Sequence, residues 1–185
     1  MKFSVFCGTS VDGFLARPND TFDFLNAGEA VPHGFTRFLN SVDVVVMGHR
    51  TFEVVRALGH FGLYGKKQLI VLSSRPLDLA QIKAPKKIEQ MSGSPHGIAA
   101  QLEARGFKHA YVDGGITVQR FLGAGLVDRI TVTRVPVLIG EGIPLFGPLP
   151  HDVHLRHLAT RSYKGGLVQS QYKVEKPVRR TSKEN

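Results

Sequence analysis

Apolar residues follow two spacings along this chain, and the two alternate. Residues 1–8, "MKFSVFCG", set Phe3, Val5 and Cys7 against Lys2, Ser4 and Phe6, the two-residue period of a strand. "VDVVVMG" at 42–48 and "KKQLIVLSS" at 66–74 are solid apolar runs, as expected of strands buried on both faces. "KKIEQM" at 86–91 is a weaker strand. "KHAYVDGG" at 108–115 is a strand ending in paired glycines, and "LVDRITVTRVPVLIG" at 126–140 reads as one long strand with Ile130, Val132 and Arg134 alternating.

Helical spacing appears in between. Phe35, Phe38, Leu39 and Val42 share one face of a short helix in "HGFTRFLNSV", and "HRTFEVVRAL" at 49–58 follows a strand as a second helix. "SPHGIAAQLEARG" at 94–106 has Ser94 as cap, Pro95 at the first helical position and Gly106 as its stop. "ITVQRFLGAG" at 116–125 is a fourth. Residues 153–176 hold two strand-like runs around Gly165-Gly166, a hairpin signal. Strands alternating with helices give an α/β fold: a mostly parallel central sheet, flanking helices and a C-terminal antiparallel hairpin.

The chain has 185 residues, enough for one cored domain, which we expect over residues 1–175. Residues 176–185 are polar and basic and are expected to be a disordered tail. Cys7 is the single cysteine, so no internal disulfide can form, and its apolar surroundings suit a small core residue. No signal peptide or membrane-spanning run is visible, and a cytoplasmic location is expected. The net charge of +9 is scattered over "KK" at 66–67, "KAPKK" at 83–87 and the tail, without interleaved aromatics. Nucleic acid is therefore not the expected partner; a basic surface that attracts anionic small molecules is.

In open α/β sheets ligands bind beyond the carboxyl ends of the strands. The segments that follow the predicted strands are "GTSVDGFLA", "MGHRTFE", "SSRP" and "DGGIT", each rich in glycine, hydroxyls or positive charge. In "MGHRTFE", Gly48 turns the chain and a helix starts with Arg50 and Thr51. Free N–H groups, a hydroxyl and an arginine suit a phosphate. "DGGIT" repeats the theme with Gly114, Gly115 and Thr117. Ser73, Ser74 and Arg75 suit a ribose phosphate or a capped turn. Asp12-Gly13 is either a plain turn or part of a loop over a ligand.

Other chemistries lack their signatures. No G-x-G-x-x-G follows the first strand and no G-x-x-x-x-G-K-[ST] occurs. His151, His154 and His157 are spaced so that a strand would put His154 on the opposite face, and no metal site is expected. Ser10, Ser73 and Ser74 have no base nearby in sequence.

"SVDGFLA", "VVMGHRTFE", "VLSSRP" and "VDGGITVQRFLGAGLVDRITVTRVPVLIGEGIPLF" together resemble the dihydrofolate reductase-like superfamily. The branch most similar is that of the C-terminal reductase domain of the riboflavin-biosynthesis deaminase/reductase and its stand-alone bacterial relatives. The resemblance runs from Met1 to about Tyr172. It implies an NADPH-dependent reductase that transfers a hydride to a C=N or C=O of a small heterocyclic or sugar-linked substrate. It implies that Gly48, His49, Arg50 and Thr51 hold adenosine-side phosphates, that Ser73, Ser74 and Arg75 border the adenine and its 2′-phosphate, and that Gly114, Gly115, Ile116 and Thr117 wrap the pyrophosphate. Leu15 and Ala16 would lie near the nicotinamide, and Asp12 and Gly13 beside the substrate, with Asp12 or a water relaying the proton.

The resemblance further implies a cis peptide between Gly114 and Gly115, with Gly115→Ala harming NADPH binding far more than stability. It also implies a homodimer, for which "ITVTRVPVLIG" could pair across a two-fold axis. Two departures stand out. The first helix region, "VPHGFTRFL", has no acid of the kind that contacts a pterin, and no deaminase segment is present. Asp23 and Glu53 are the polar candidates near the cleft. The rival functions are a nucleotide-binding module without turnover and a basic nucleic-acid-binding protein.

Overall fold

The computed structural model describes residues 1–26, 34–79 and 87–176. Its strands are β1 (Lys2–Ser10), β2 (Phe14–Ala16), β3 (Val44–Gly48), β4 (Gln68–Leu72), β5 (Ile88–Met91), β6 (His109–Asp113), β7 (Val127–Val135), β8 (Ile143–Pro144), β9 (Leu155–Ser162) and β10 (Val168–Val174). Its helices are α1 (Phe35–Asn40), α2 (His49–Ala57), α3 (Pro95–Ala104) and α4 (Gly115–Gly123). Eight strands form one sheet in the order β5-β4-β3-β6-β1-β7-β10-β9. From β5 to β7 all pairings are parallel; β10 runs antiparallel to both β7 and β9. This is the expected α/β architecture with its C-terminal hairpin.

The solid apolar runs are explained by two cores. Val44 and Val46 point to one face of the sheet, with Ile98 and Leu102 of α3 and Val118, Phe121 and Leu122 of α4. Val45 and Met47 point to the other, with Leu39 of α1, Phe52 and Val55 of α2, and Phe61 and Tyr64 of the turn after α2. A strand covered on both sides needs no polar alternation. Phe3 packs on Phe121, ring centroids 5.2 Å apart.

Some expectations change. The long strand at 126–140 stops at Val135, because Pro136 has no N–H to continue the ladder. The chain then turns toward the first loop, where the Val11 N–H donates to the Val137 carbonyl at 2.9 Å. β7 also lies between β1 and β10, so both its edges are hydrogen-bonded within the chain. The apolar return "FLA" becomes β2, which pairs with β8 in a small second sheet. His157 lies in β9, whereas His151 and His154 precede it. Among the described residues no helix is long and apolar enough to cross a membrane. The expected tail at 176–185, Lys176 apart, and most of "KAPKK" lie outside the described residues.

Candidate active site

β1, β3, β4 and β6 run parallel, so the segments that follow them gather at one edge. β6 inserts between β1 and β3, and α2 and α4 start there from opposite faces of the sheet. Their first turns meet through a reciprocal pair of contacts. A Cβ at Gly48 would stand 2.8 Å from Thr117 Oγ1, and a Cβ at Gly114 would run into the Thr51 hydroxyl. Gly114 has φ +88°, which a side chain rarely tolerates. A Cβ at Gly115 would meet the Pro144 carbonyl at 2.7 Å and Leu15 Cδ1 at 3.3 Å.

Neither helix start carries a side-chain cap, whereas Ser94 Oγ caps α3 by accepting from the Gly97 N–H at 3.1 Å. α2 and α4 therefore present first-turn N–H groups to the same place, and their dipoles favour negative charge there. Among the described residues no peptide bond is cis, so the Gly114–Gly115 bond is trans, contrary to expectation. The turn is made instead by the dihedral freedom of Gly114, at φ 88° and ψ 141°.

The stretch "SVDGFLA" is a tight turn bound to the loop after β7. Gly13 has φ +88°, and its N–H donates to the Ser10 carbonyl at 3.1 Å. Ser10 Oγ accepts from the Phe14 N–H at 3.0 Å. The exposed Asp12 carboxylate accepts from the N–H groups of Gly140 at 2.8 Å and Ile139 at 3.2 Å. The Ser10 hydroxyl first, then these N–H groups, hold its carboxyl below the usual carboxylate range. That environment favours the charged form, which accepts protons rather than donating them. Leu15 and the buried Ala16 follow in β2, with Leu15 against Gly115.

The arginines differ. Arg50 Nε lies 2.6 Å from Asp20 Oδ1, so an internal carboxylate already stands at the start of α2. Asp20 is the one non-glycine among the described residues with positive φ, at 69°. Thr51 is half-buried against Gly114, Ile116 is exposed and Thr117 is buried. At the end of β4 the Ser73 hydroxyl donates to the Arg75 carbonyl at 2.7 Å and accepts the Arg75 N–H at 3.1 Å. Gln90 Nε2 of β5 donates to the carbonyls of Ser73 and Arg75 at 3.0 and 2.8 Å. This turn is thus locked by its own bonds, with Ser74 and Arg75 exposed.

Asp23 and Glu53 are spent on neighbours: Asp23 pairs with Arg17 at 2.7 Å, and Glu53 pairs with Arg56 at 2.5 Å and lies 3.5 Å from His49.

A third acid at this edge, beside Asp12 and Asp20, is Asp113, the last residue of β6. Its Oδ1 accepts from the Gly114 N–H at 2.9 Å, and its Oδ2 from the Tyr64 hydroxyl at 2.7 Å. Burial raises its carboxyl above the ordinary value, against the opposing effect of the Tyr64 hydroxyl and the Gly114 N–H that donate to it. Its signal in the sequence is an acid closing an apolar strand just before two glycines. Tyr64 has no such signal, since it reaches Asp113 from 49 positions away. On the same face α1 adds an aromatic wall. Phe38 stacks on Phe6 with centroids 5.0 Å apart, and Phe35 and Phe38 meet Tyr111 edge-on at 6.1 and 5.1 Å.

Residues 2–169 match the family model described as the RibD C-terminal domain. The chain belongs to the RibD C-terminal domain family. The chain is similar to the uncharacterized protein YwjB of Bacillus subtilis (strain 168), 28% identical over 173 residues, 92% of this chain and 97% of that one. A provisionally named riboflavin biosynthesis protein from Shewanella sp. PV-4 superposes with a TM-score of 0.87 at 32% identity, over 95% of this chain and 99% of that one. Dihydrofolate reductase from Enterococcus faecalis, complexed with NADP(H), shares the fold with a TM-score of 0.63 at 15% identity, over 94% of this chain and 96% of that one. RibD C-terminal domain membership supports a reductase-type protein, and it covers every segment of the site edge. α1, "FTRFLN", contains no acid, and Asp113 closes β6.

Proposed function

We propose that this protein is an NADPH-dependent reductase acting on a C=N or C=O of a small, planar heterocyclic or sugar-linked compound of pyrimidine or pterin type. The carrying observation is the meeting of two uncapped helix starts, α2 and α4, across Gly48–Thr117 and Gly114–Thr51. Two dipole ends and their N–H groups, converging at one sheet edge, suit a diphosphate. The residues fit such a cofactor: Gly48, His49, Arg50 and Thr51 on one side, and Gly114, Gly115, Ile116 and Thr117 on the other. Ser73, Ser74 and Arg75 would receive the 2′-phosphate, with the guanidinium as its charge partner.

NADPH supplies the hydride when bound. The chain's residues orient and balance charge around it. Leu15 and Ala16 line the nicotinamide side. Phe35 and Phe38, partly exposed and packed on Phe6 and Tyr111, would offer apolar contact to a ring. Asp113, raised by burial, holds a proton at the cleft more readily than an exposed aspartate would. Asp12 and Gly13 border the substrate and tie their turn to the loop after β7.

Fluorescence titration with NADPH, followed by a panel of iminium, pyrimidinone and pterin substrates watched at the NADPH absorbance band, tests this reading. Saturable binding with turnover of a panel member is expected. Binding without any turnover would leave a nucleotide-binding module, and absence of binding would remove the assignment.

A further inference from the structure

Asp113 is held without a counter-ion: among the described residues no lysine, arginine or histidine pairs with it. The titratable groups that face it are Tyr64 from the turn after α2, Tyr111 from β6 itself and Cys7 from β1. Burial raises all three above their ordinary values, so they face it uncharged. Tyr111 is engaged elsewhere, donating to the Phe6 carbonyl at 2.9 Å. The acid is therefore gripped by one donor on each oxygen, Gly114 N–H on Oδ1 and Tyr64 O–H on Oδ2. The first is backbone and cannot vary with side-chain identity. The second comes from a ring that is 5% exposed, packed under α2 in the core that also holds Phe52 and Phe61.

We propose that Tyr64 is a positioning residue for the cleft: its hydroxyl anchors one oxygen of Asp113 at the carboxyl edge of the sheet and so sets the plane of the acid that a ligand meets. Two fixed donors leave the carboxyl little freedom to rotate, and its remaining lone pairs are those available to a ligand or a proton. Tyr64 also works against burial. A hydrogen bond donated to a carboxylate favours the charged form, while desolvation disfavours it. Asp113 thus sits between the two effects, and Tyr64 acts on the reaction through it without touching substrate. The inference rests on taking Asp113 as the acid of a reductase cleft.

The test is Tyr64→Phe, which keeps the ring and removes only the hydroxyl. The probe is the side-chain carboxyl carbon resonance of Asp113 in aspartate-labelled protein, assigned by its loss in Asp113→Asn. The expected result is a titration midpoint higher by about one pH unit, the size of one hydrogen bond to a charged group, with a melting temperature close to that of the native chain. An unmoved midpoint would overturn the proposal, since a role in packing alone changes stability and not the titration. If Tyr64→Phe does not fold, fluorotyrosine incorporated at the tyrosines decides: ring fluorine makes the phenol a stronger donor, so the Asp113 midpoint is expected to fall, and an unmoved midpoint overturns the proposal. NADPH titration is read separately. Its failure would remove the reductase reading and leave the coupling intact, whereas an unmoved midpoint with normal NADPH binding would remove only the coupling.

Discussion

The hydroxyl of Thr51 fills the space that a side chain at Gly114 would need. One residue opens α2 on one face of the sheet and the other caps α4 on the opposite face, so this contact fixes how closely two helix starts approach. Gly48 and Thr117 repeat the arrangement with the roles of the helices exchanged. A glycine turn at each strand end and a threonine in each first turn are therefore partners, although they lie in separate segments of the chain.

Gly114→Ala should lose stability from two sources. The backbone at φ +88° is costly for any residue with a Cβ, by about 1–3 kcal/mol, and the Thr51 hydroxyl must move as well. Urea unfolding should show the loss. Adding Thr51→Ala should recover only part of it, because the dihedral cost remains. Gly115→Ala should also lower the unfolding free energy, since its Cβ would meet the Pro144 carbonyl at 2.7 Å. Gly115 thus has a packing role beside the cofactor-binding role proposed for it. An unchanged urea midpoint for Gly115→Ala would contradict the packing argument.

Asp12→Ala should free the loop after β7. The amides of Ile139 and Gly140 both donate to the Asp12 carboxylate. Hydrogen exchange should accelerate at these two amides and leave the β7 ladder amides unchanged. If exchange at 139 and 140 stays slow, the carboxylate is not what holds the loop.

Arg75→Ala should weaken NADPH more than NADH. A guanidinium binds phosphate through charge-assisted hydrogen bonds, and losing one such contact corresponds to about a ten- to hundredfold change in Kd. Arg50→Ala is expected to act less selectively, because Arg50 is paired with Asp20 and touches the Pro18 carbonyl as well. Titration of both nucleotides against each variant checks the difference, and equal losses for NADPH and NADH in Arg75→Ala would dismiss the 2′-phosphate assignment.

His109 makes stability depend on pH from the other end of the sheet. Its Nε2 faces the buried Ser4 hydroxyl at 2.8 Å and its Nδ1 the Ser41 carbonyl at 2.8 Å. The carbonyl requires the proton on Nδ1, and in the neutral ring that burial favours Nε2 accepts from the Ser4 hydroxyl. Burial is the main cause that lowers its pKa from the ordinary 6.5. Below that ordinary value the unfolded chain binds a proton that the folded chain resists, so the stabilisation is complete above it and is lost as pH falls through it. Urea unfolding from about pH 7.5 to about 5 should show a steeper decline for the native chain than for His109→Gln. Parallel curves would mean that His109 does not contribute.

The linear pattern of residues determined the class of fold, since periods of two and of three to four recur in an order that only a mostly parallel sheet with helices on both faces accommodates. It also determined the run "VVVMG" as interior, because Val44 and Val46 feed one core and Val45 and Met47 the other. The segments at the strand ends were legible for the same local reason: glycines, hydroxyls and helix starts follow strands directly. What the chain alone could not decide was contact between distant segments. Pro136 ended a strand that looked continuous. "FLA" found β8 as a partner more than a hundred residues away, and β7 lost its free edge to β10. Arg50 met Asp20 across a loop. Asp113 was visible as an acid before two glycines, but its environment came from Tyr64 and from burial. Burial and long-range hydrogen bonds depend on which elements the sheet order brings together, and that order exists only once the chain has folded.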